Sequence, residues 1–298
     1  MLPLNQSIRM LIALYLALYL AIHGYRKKSL NKSGSISAFL VGFISFSVSY
    51  RMGFLLILFY YSSSKLTKLK EDVKSKLEDD YKHAGQRNWI QVLTNSVLAT
   101  ILSILYYQLF SEDRLPSMSN FTIESYIWCA YVAHYACANG DTWASELGIL
   151  SKSKPRLITS FFLREVPPGT NGGMSILGTF ASAAGGSFIG LSYYLLGFVF
   201  RLEGPNHEQW PMIILGCIYG IIGSIIDSLL GAICQATYYD KDLKCIVKKY
   251  NFNNKSIDHI SGINLLTNEG VNFFSILITM LISTFLSPYV FKMFLSLY

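Results

Sequence analysis

The fold class predicted from the sequence is all-α: a polytopic integral membrane protein with about eight helices in one bundle. Three observations predict it. Of 298 residues, 52% are hydrophobic and only 14% charged, against roughly 25% charged in soluble domains, and the mean hydropathy is +0.36. Apolar runs able to cross a bilayer, which takes about 20 helical residues, recur along the chain. The basic residues also segregate between alternate loops, as the positive-inside rule requires of a membrane protein.

The spans read as residues 3–24, 34–50, 52–64, 89–110, 120–138, 173–199, 210–236 and 270–297. The third is short and pairs with the second as a hairpin. The connecting loops 25–33, 65–88, 139–172 and 237–268 hold most of the 25 Lys and Arg, leaving only Arg9, Arg51, Arg114, Arg201 and Lys292 to the other side. The lysines Lys76, Lys82, Lys248, Lys249 and Lys255 belong to the basic side. That side is therefore expected to be cytoplasmic, with both termini in the lumen or exterior and an endomembrane location such as the endoplasmic reticulum. Among the N-x-S/T sequons, Asn5 and Asn120 then face the lumen, and Asn31 and Asn254 the cytoplasm. The net charge of +7 is mostly loop charge of this kind. It is no sign of nucleic-acid binding, and it can attract anionic headgroups.

The first span reads as a retained anchor, because His23-Gly24-Tyr25-Arg26 follows it in place of a small-residue cleavage site. The stretch 65–88 interleaves lysines with Glu71, Asp72, Glu78, Asp79 and Asp80, the pattern of a solvated face. Asn88, Gln91 and Asn95 share one face of the fourth span, with Arg87 beside them. That face serves either interhelical hydrogen bonds or a ligand. The five cysteines lack C-x-x-C spacing and read as small buried hydrophobes.

Candidate chemistry concentrates between Asn139 and Gly173. Asp141 and Glu146 offer hard oxygen ligands for a divalent cation. Five residues apart on an ideal helix they stand about 140° from each other, so they meet on one metal only if the helix breaks. Lys152, Lys154 and Arg156 suit phosphate oxygens. The turn Pro167-Pro168-Gly169-Thr170-Asn171-Gly172-Gly173 is a run of backbone donors before an apolar helix, where an anion can settle. His134 reads as a hydrogen-bonded helix contact.

Span six is rich in small residues, Gly178, Ser182, Gly185, Gly186 and Gly190, and span seven continues with Gly216, Gly220, Gly223, Asp227 and Gly231 at steps of four, three, four and four. Asp227 is an intramembrane carboxylate that needs a partner, hence a functional candidate. Asn264, Asn268 and Asn272 lie four apart where the last helix begins, a further polar face at the same depth.

The blocks RNWIQVL (87–93), GDTWASELG (140–148), SKPRLIT (153–159), VPPGTNGG (166–173), DSLLGA (227–232) and NLLTNEGVN (264–272) resemble the transmembrane-protein-nineteen family over nearly the whole chain. The best-understood branch of that family is phytyl-phosphate kinase of plants and cyanobacteria. The resemblance implies a helical membrane protein related to polyprenol and dolichol kinases, using a nucleoside triphosphate, CTP or ATP. It supports Asp141, Glu146, Asn171 and Asp227 as site residues. The chain departs from the pattern at Asn95-Ser96, where the family more often has Asn-Gly, which puts this face in doubt as a nucleotide contact.

The resulting expectation is a lipid-phosphate kinase acting on an isoprenyl monophosphate in the membrane. Mg²⁺ would sit on Asp141, Glu146 and Asp227. Lys152, Lys154, Arg156, Gly169, Thr170, Asn171, Gly172, Gly173, Asn264 and Asn268 would bind the nucleotide. The isoprenyl tail would lie between spans six and seven, where glycines leave room. The alternative is a transporter or non-catalytic scaffold for an anionic metabolite. Transporter sites gather near the midplane of repeated halves, whereas these polar faces gather at one boundary and no repeat is visible.

Overall fold

The computed structural model describes residues 6–74, 77, 86–110, 113–161, 164–247 and 256–296. The sequons at Asn5 and Asn254, the acids Glu78, Asp79 and Asp80, and Lys76, Lys82, Lys248, Lys249 and Lys255 lie outside the described residues.

Long helices dominate: α1 Gln6–Arg26, α2 Lys32–Val48, α3 Tyr50–Thr67, α7 Ile123–Gly148, α8 Ile176–Val199, α9 Met212–Cys234 and α10 Asn268–Leu295. Shorter ones are α4 Glu71–Lys74, α5 Trp89–Thr94 and α6 Val97–Leu109. Among the described residues four helical segments are long and apolar enough to cross a bilayer: Ser7–Arg26, Ile176–Val199, Asn206–Cys234 and Asn268–Leu295. α2 and α6 are apolar but shorter. Each predicted span coincides with helix, yet the fourth is broken into α5 and α6 at Asn95–Ser96, and α7 runs ten residues past the predicted end of the fifth. Residues 139–148 are thus helix, not loop.

Local chemistry sets the helix starts. Asn31 accepts from Gly34 N at 2.8 Å, Ser175 from Gly178 N at 3.1 Å and Thr267 from Gly270 N at 3.2 Å. Each such cap contributes about 1 kcal/mol. Ser49, extended at φ −150°, ends α2 and caps α3, which makes the predicted hairpin.

The central helix is α7, buried on every face from Ile127 to Gly140, as a helix apolar all round must be. α8 and α9 pack against it and against each other backbone to backbone. A Cβ on Gly186 would stand 2.1 Å from the Gly216 carbonyl, and one on Gly220 2.4 Å from the Ser182 carbonyl. The small-residue face is therefore filled by a neighbouring backbone. The expected room for an isoprenyl tail between spans six and seven is absent, because the glycines serve close helix approach.

The fold is not purely helical. Antiparallel strands also form: β1 Arg156–Leu157, in a predicted loop, with β2 Gly173–Met174, at the start of the predicted sixth span, and, in the loop 237–268, β3 Thr237–Asp240 between β4 Cys245–Val247 and β5 Ile257–Ser261. Along β3 the two end residues Thr237 and Asp240 are buried and the tyrosines between them are half-buried. All five cysteines are free.

Candidate functional site

Stretches from the α3–α5, α7–α8 and α9–α10 connections meet at one end of the bundle and enclose a cavity of about 440 Å³. Lys74 and Arg87 enter from the first, Gly169–Gly173 from the second, and Gln235 and Asn268 from the third. Asp141 and Glu146 of α7, Asp227 of α9 and Glu269 and Asn272 of α10 add charged and amide groups to the lining, as do Gln91, Asn95 and Asn171.

Because α7 is unbroken through Gly148, Asp141 and Glu146 point to different partners. Glu146 accepts a hydrogen bond from Lys74 Nζ at 2.5 Å. That ammonium is also held by the carbonyls of Leu66 at 2.8 Å and Thr67 at 3.3 Å. Asp141 faces Asp227 closely enough for direct electrostatic interaction. Its carboxylate accepts no hydrogen bond from the described residues. Asp227 Oδ2 accepts from Ser275 Oγ at 3.2 Å and, with the Asn272 amide turned nitrogen-inward, from that nitrogen at 3.1 Å. Among the described residues no three His, Cys, Asp or Glu side chains come together as a metal group. The predicted trio is thus an Asp141–Asp227 pair, with Glu146 withdrawn onto Lys74.

The glycine turn is a built wall more than an open cradle. Gly169 and Gly172 have φ of 86° and 77°, a region glycine enters without steric cost. Thr170 closes on Pro167 through both its N–H at 3.2 Å and its hydroxyl at 2.7 Å. Asn171 N–H donates to Thr237 Oγ1 at 3.2 Å, and Gly173 N–H to the Thr170 carbonyl at 2.9 Å. Most of the expected donors are therefore used internally. Among the described residues the Gly169 and Gly172 N–H groups stay unbonded. The turn does not lead directly into a helix either, since β2 follows it and Ser175 caps α8.

Lys152, Lys154 and Arg156 do not line the cavity; all three side chains are exposed. Strand alternation explains it: Pro155 and Leu157 turn inward and Arg156 outward. Asn264 precedes the start of α10 and is exposed, so it does not share the face of Asn268 and Asn272. His134 donates from Nε2 to the Asn95 carbonyl at 2.9 Å, a buried helix contact.

The cations of the cavity are Lys74 and Arg87, neither assigned to the site from sequence. Lys74 is 1% exposed but sits in a run whose alternating signs look solvated. Arg87 adjoins the Asn88–Gln91–Asn95 face, which was its one signal. Its backbone is fixed by Ser29 and Asn31 and its guanidinium lies 5.7 Å from the centre of the Tyr60 ring. The guanidinium makes no hydrogen bond with the described residues, and desolvation lowers its pKa from the ordinary arginine value.

A helical bundle with a polar cavity at one end and apolar helices long enough for a bilayer defines an integral membrane protein. A model of the integral membrane protein family DUF92 matches residues 15–280, and the chain belongs to that family. It is similar to Protein PGR of Arabidopsis thaliana, 39% identical over 96% of this chain and 99% of the relative. An uncharacterized membrane protein of Methanocaldococcus jannaschii is 29% identical over 76% of this chain and 84% of its own length. Another, from Synechocystis, is 27% identical over 70% and 73%. No solved structure matches the chain.

Proposed function

We propose that the cavity transfers a phosphoryl group from a nucleoside triphosphate, CTP or ATP, to an isoprenyl monophosphate. The observation that carries this reading is the pairing of contents in one cavity: two facing carboxylates, Asp141 and Asp227, and an unbonded guanidinium, Arg87. Two carboxylates with adjoining phosphates are a fitting set for Mg²⁺, which usually keeps several waters and takes only one or two protein carboxylates. When bound, Mg²⁺ would neutralise phosphate charge. Asp141 and Asp227 would hold it, Ser275 and Asn272 would orient Asp227, and Arg87 would take a phosphate oxygen. The Gly169 and Gly172 amides would donate to the nucleotide.

In the reaction an oxygen of the acceptor phosphate attacks the γ-phosphorus, and the bond from that phosphorus to the β–γ bridging oxygen breaks. Nucleoside diphosphate leaves and an isoprenyl diphosphate forms. The attacking oxygen is already anionic, so positioning and charge neutralisation suffice without a strong base. The orientation belongs to the same proposal: eight crossings, with the cavity end cytoplasmic in an endomembrane. A transporter is disfavoured because the polar lining gathers at one end of the bundle, while the described residues at the opposite end hold the ion pairs Arg51–Asp113 and Arg114–Glu124.

The test supplies purified protein with γ-labelled CTP or ATP, Mg²⁺, and phytyl, farnesyl and geranylgeranyl monophosphates. Labelled diphosphate is the expected product. Folded protein that labels none of them with either nucleotide overturns the proposal.

A further inference from the structure

Beside the polar cavity lies a second hollow of about 80 Å³ between α1, α2, α3 and α5. Its lining is almost wholly apolar, from Ala21 on α1 and Val41 on α2 to Ile57 on α3 and Val92 on α5. Phe59, Arg87, Gln91 and Asn95 line both spaces. The cation of Arg87 therefore stands at the border between an apolar groove and the cavity that holds the acids. A group with an anionic head and an apolar tail matches that border: the head answers the unbonded guanidinium, and the tail removes hydrocarbon surface from water at roughly 25 cal/mol per Å². The α8–α9 seam offers no competing place, since its glycines are in backbone contact.

We propose that this groove binds the head-proximal part of the tail of a single-chain lipid whose phosphate monoester is held by Arg87, the rest of the chain running sideways into the bilayer between α1, α2 and α3. The inference rests on the phosphate reading of the cavity and adds where the tail lies and how many chains it has.

The experiment uses the full chain in nanodiscs and a farnesyl monophosphate carrying a diazirine on the isoprene unit next to the phosphate. Cross-linked residues are located by mass spectrometry. Competitors are geranylgeranyl monophosphate, geranylgeraniol, inorganic phosphate and phosphatidic acid. Cross-links on Leu20, Ile57 or Val92 are expected, displaced by geranylgeranyl monophosphate at least about tenfold better than by the alcohol or by inorganic phosphate. Ala38→Phe, which fills the groove, is expected to weaken labelling about tenfold while leaving nucleotide binding intact. If that variant does not fold, the labelled positions in the native chain decide the matter. Labelling confined to α8 and α9, or equal displacement by the alcohol, overturns the proposal. Displacement by phosphatidic acid as strong as by the single-chain phosphate overturns it too. Labelling in the groove without any phosphoryl transfer upholds the tail site and removes only the kinase reading.

Discussion

Arg51 and Arg87 are both arginines drawn into the bundle, one at each end, and their surroundings differ. Arg51 is fully buried. Its Nη2 donates to Asp113 Oδ1 at 2.8 Å and to the Arg114 carbonyl at 2.8 Å, and its guanidinium carbon lies 3.7 Å from the centre of the Trp128 ring. Ser49 bonds the same aspartate. Nearby, Glu124 accepts from Tyr106 at 2.9 Å and Arg114 at 3.1 Å, and Glu208 gathers the Met118 and Ser119 amides at 2.6 and 3.0 Å. Asp113, Glu124 and Glu208 thus each have a cation or several donors. At the cavity end Arg87 and Asp141 have no hydrogen-bond partner among the described residues. Charges kept out of water are tolerated when paired, so the first end is held by its own ion pairs, and the second keeps the charges that the proposed reaction would use.

The largest expected effects break the comparison at its two poles. Asp227→Asn or Asp141→Asn should lower phosphoryl transfer about 1000-fold, the scale of a lost charge clamp. Neither should lower the melting temperature, because each removes one of two facing like charges. Retained activity in both folded variants would remove the metal assignment. Asp113→Ala should do the reverse. It strands a buried Arg51 and should cost about 3–5 kcal/mol in unfolding, while activity per folded molecule stays unchanged. A stable Asp113→Ala protein with lost transfer would mean the two ends are one functional unit.

This contrast was only half legible in the sequence. Long apolar runs and charged loops located the helices, since both follow from what a bilayer excludes. The amides near Arg87 and the carboxylate of Asp227 in a glycine face were legible as candidates because such groups cannot be left facing lipid. Pairing was not legible. Nothing in the order of residues says that Glu146 turns to Lys74, 72 residues away, or that Asp113 is the partner of Arg51. The glycine stripe has the same spacing whether it leaves a crevice or admits a backbone, so the tail was assigned to a seam that is closed. The short strands went unread because two to five residues give too little period to detect.

A smaller effect sharpens what the turn contributes. Gly172→Ala puts a Cβ 2.3 Å from Ala232 Cβ, at a φ that favours glycine. Strain and overpacking together should cost about 1–3 kcal/mol, and displacement of the wall should weaken nucleotide binding about tenfold. Calorimetric titration of nucleotide into folded protein checks it, and unchanged affinity would make the turn a lid support with no ligand contact.

The smallest effect falls on the basic residues that sequence motifs favoured most. Lys152, Lys154 and Arg156 are exposed and outside the cavity. Water and salt screen charges so placed, with a Debye length of about 8 Å at physiological ionic strength. The triple replacement by alanine should therefore shift stability by no more than about 0.5 kcal/mol and change KM for the nucleotide less than about threefold. A residual effect should vanish at high salt, as screening of a distant charge requires. A loss of tenfold or more that persists at high salt would mean that the β1–β2 ribbon folds over the bound nucleotide. The free charges of the site would then include this loop, on the nucleotide side of the cavity.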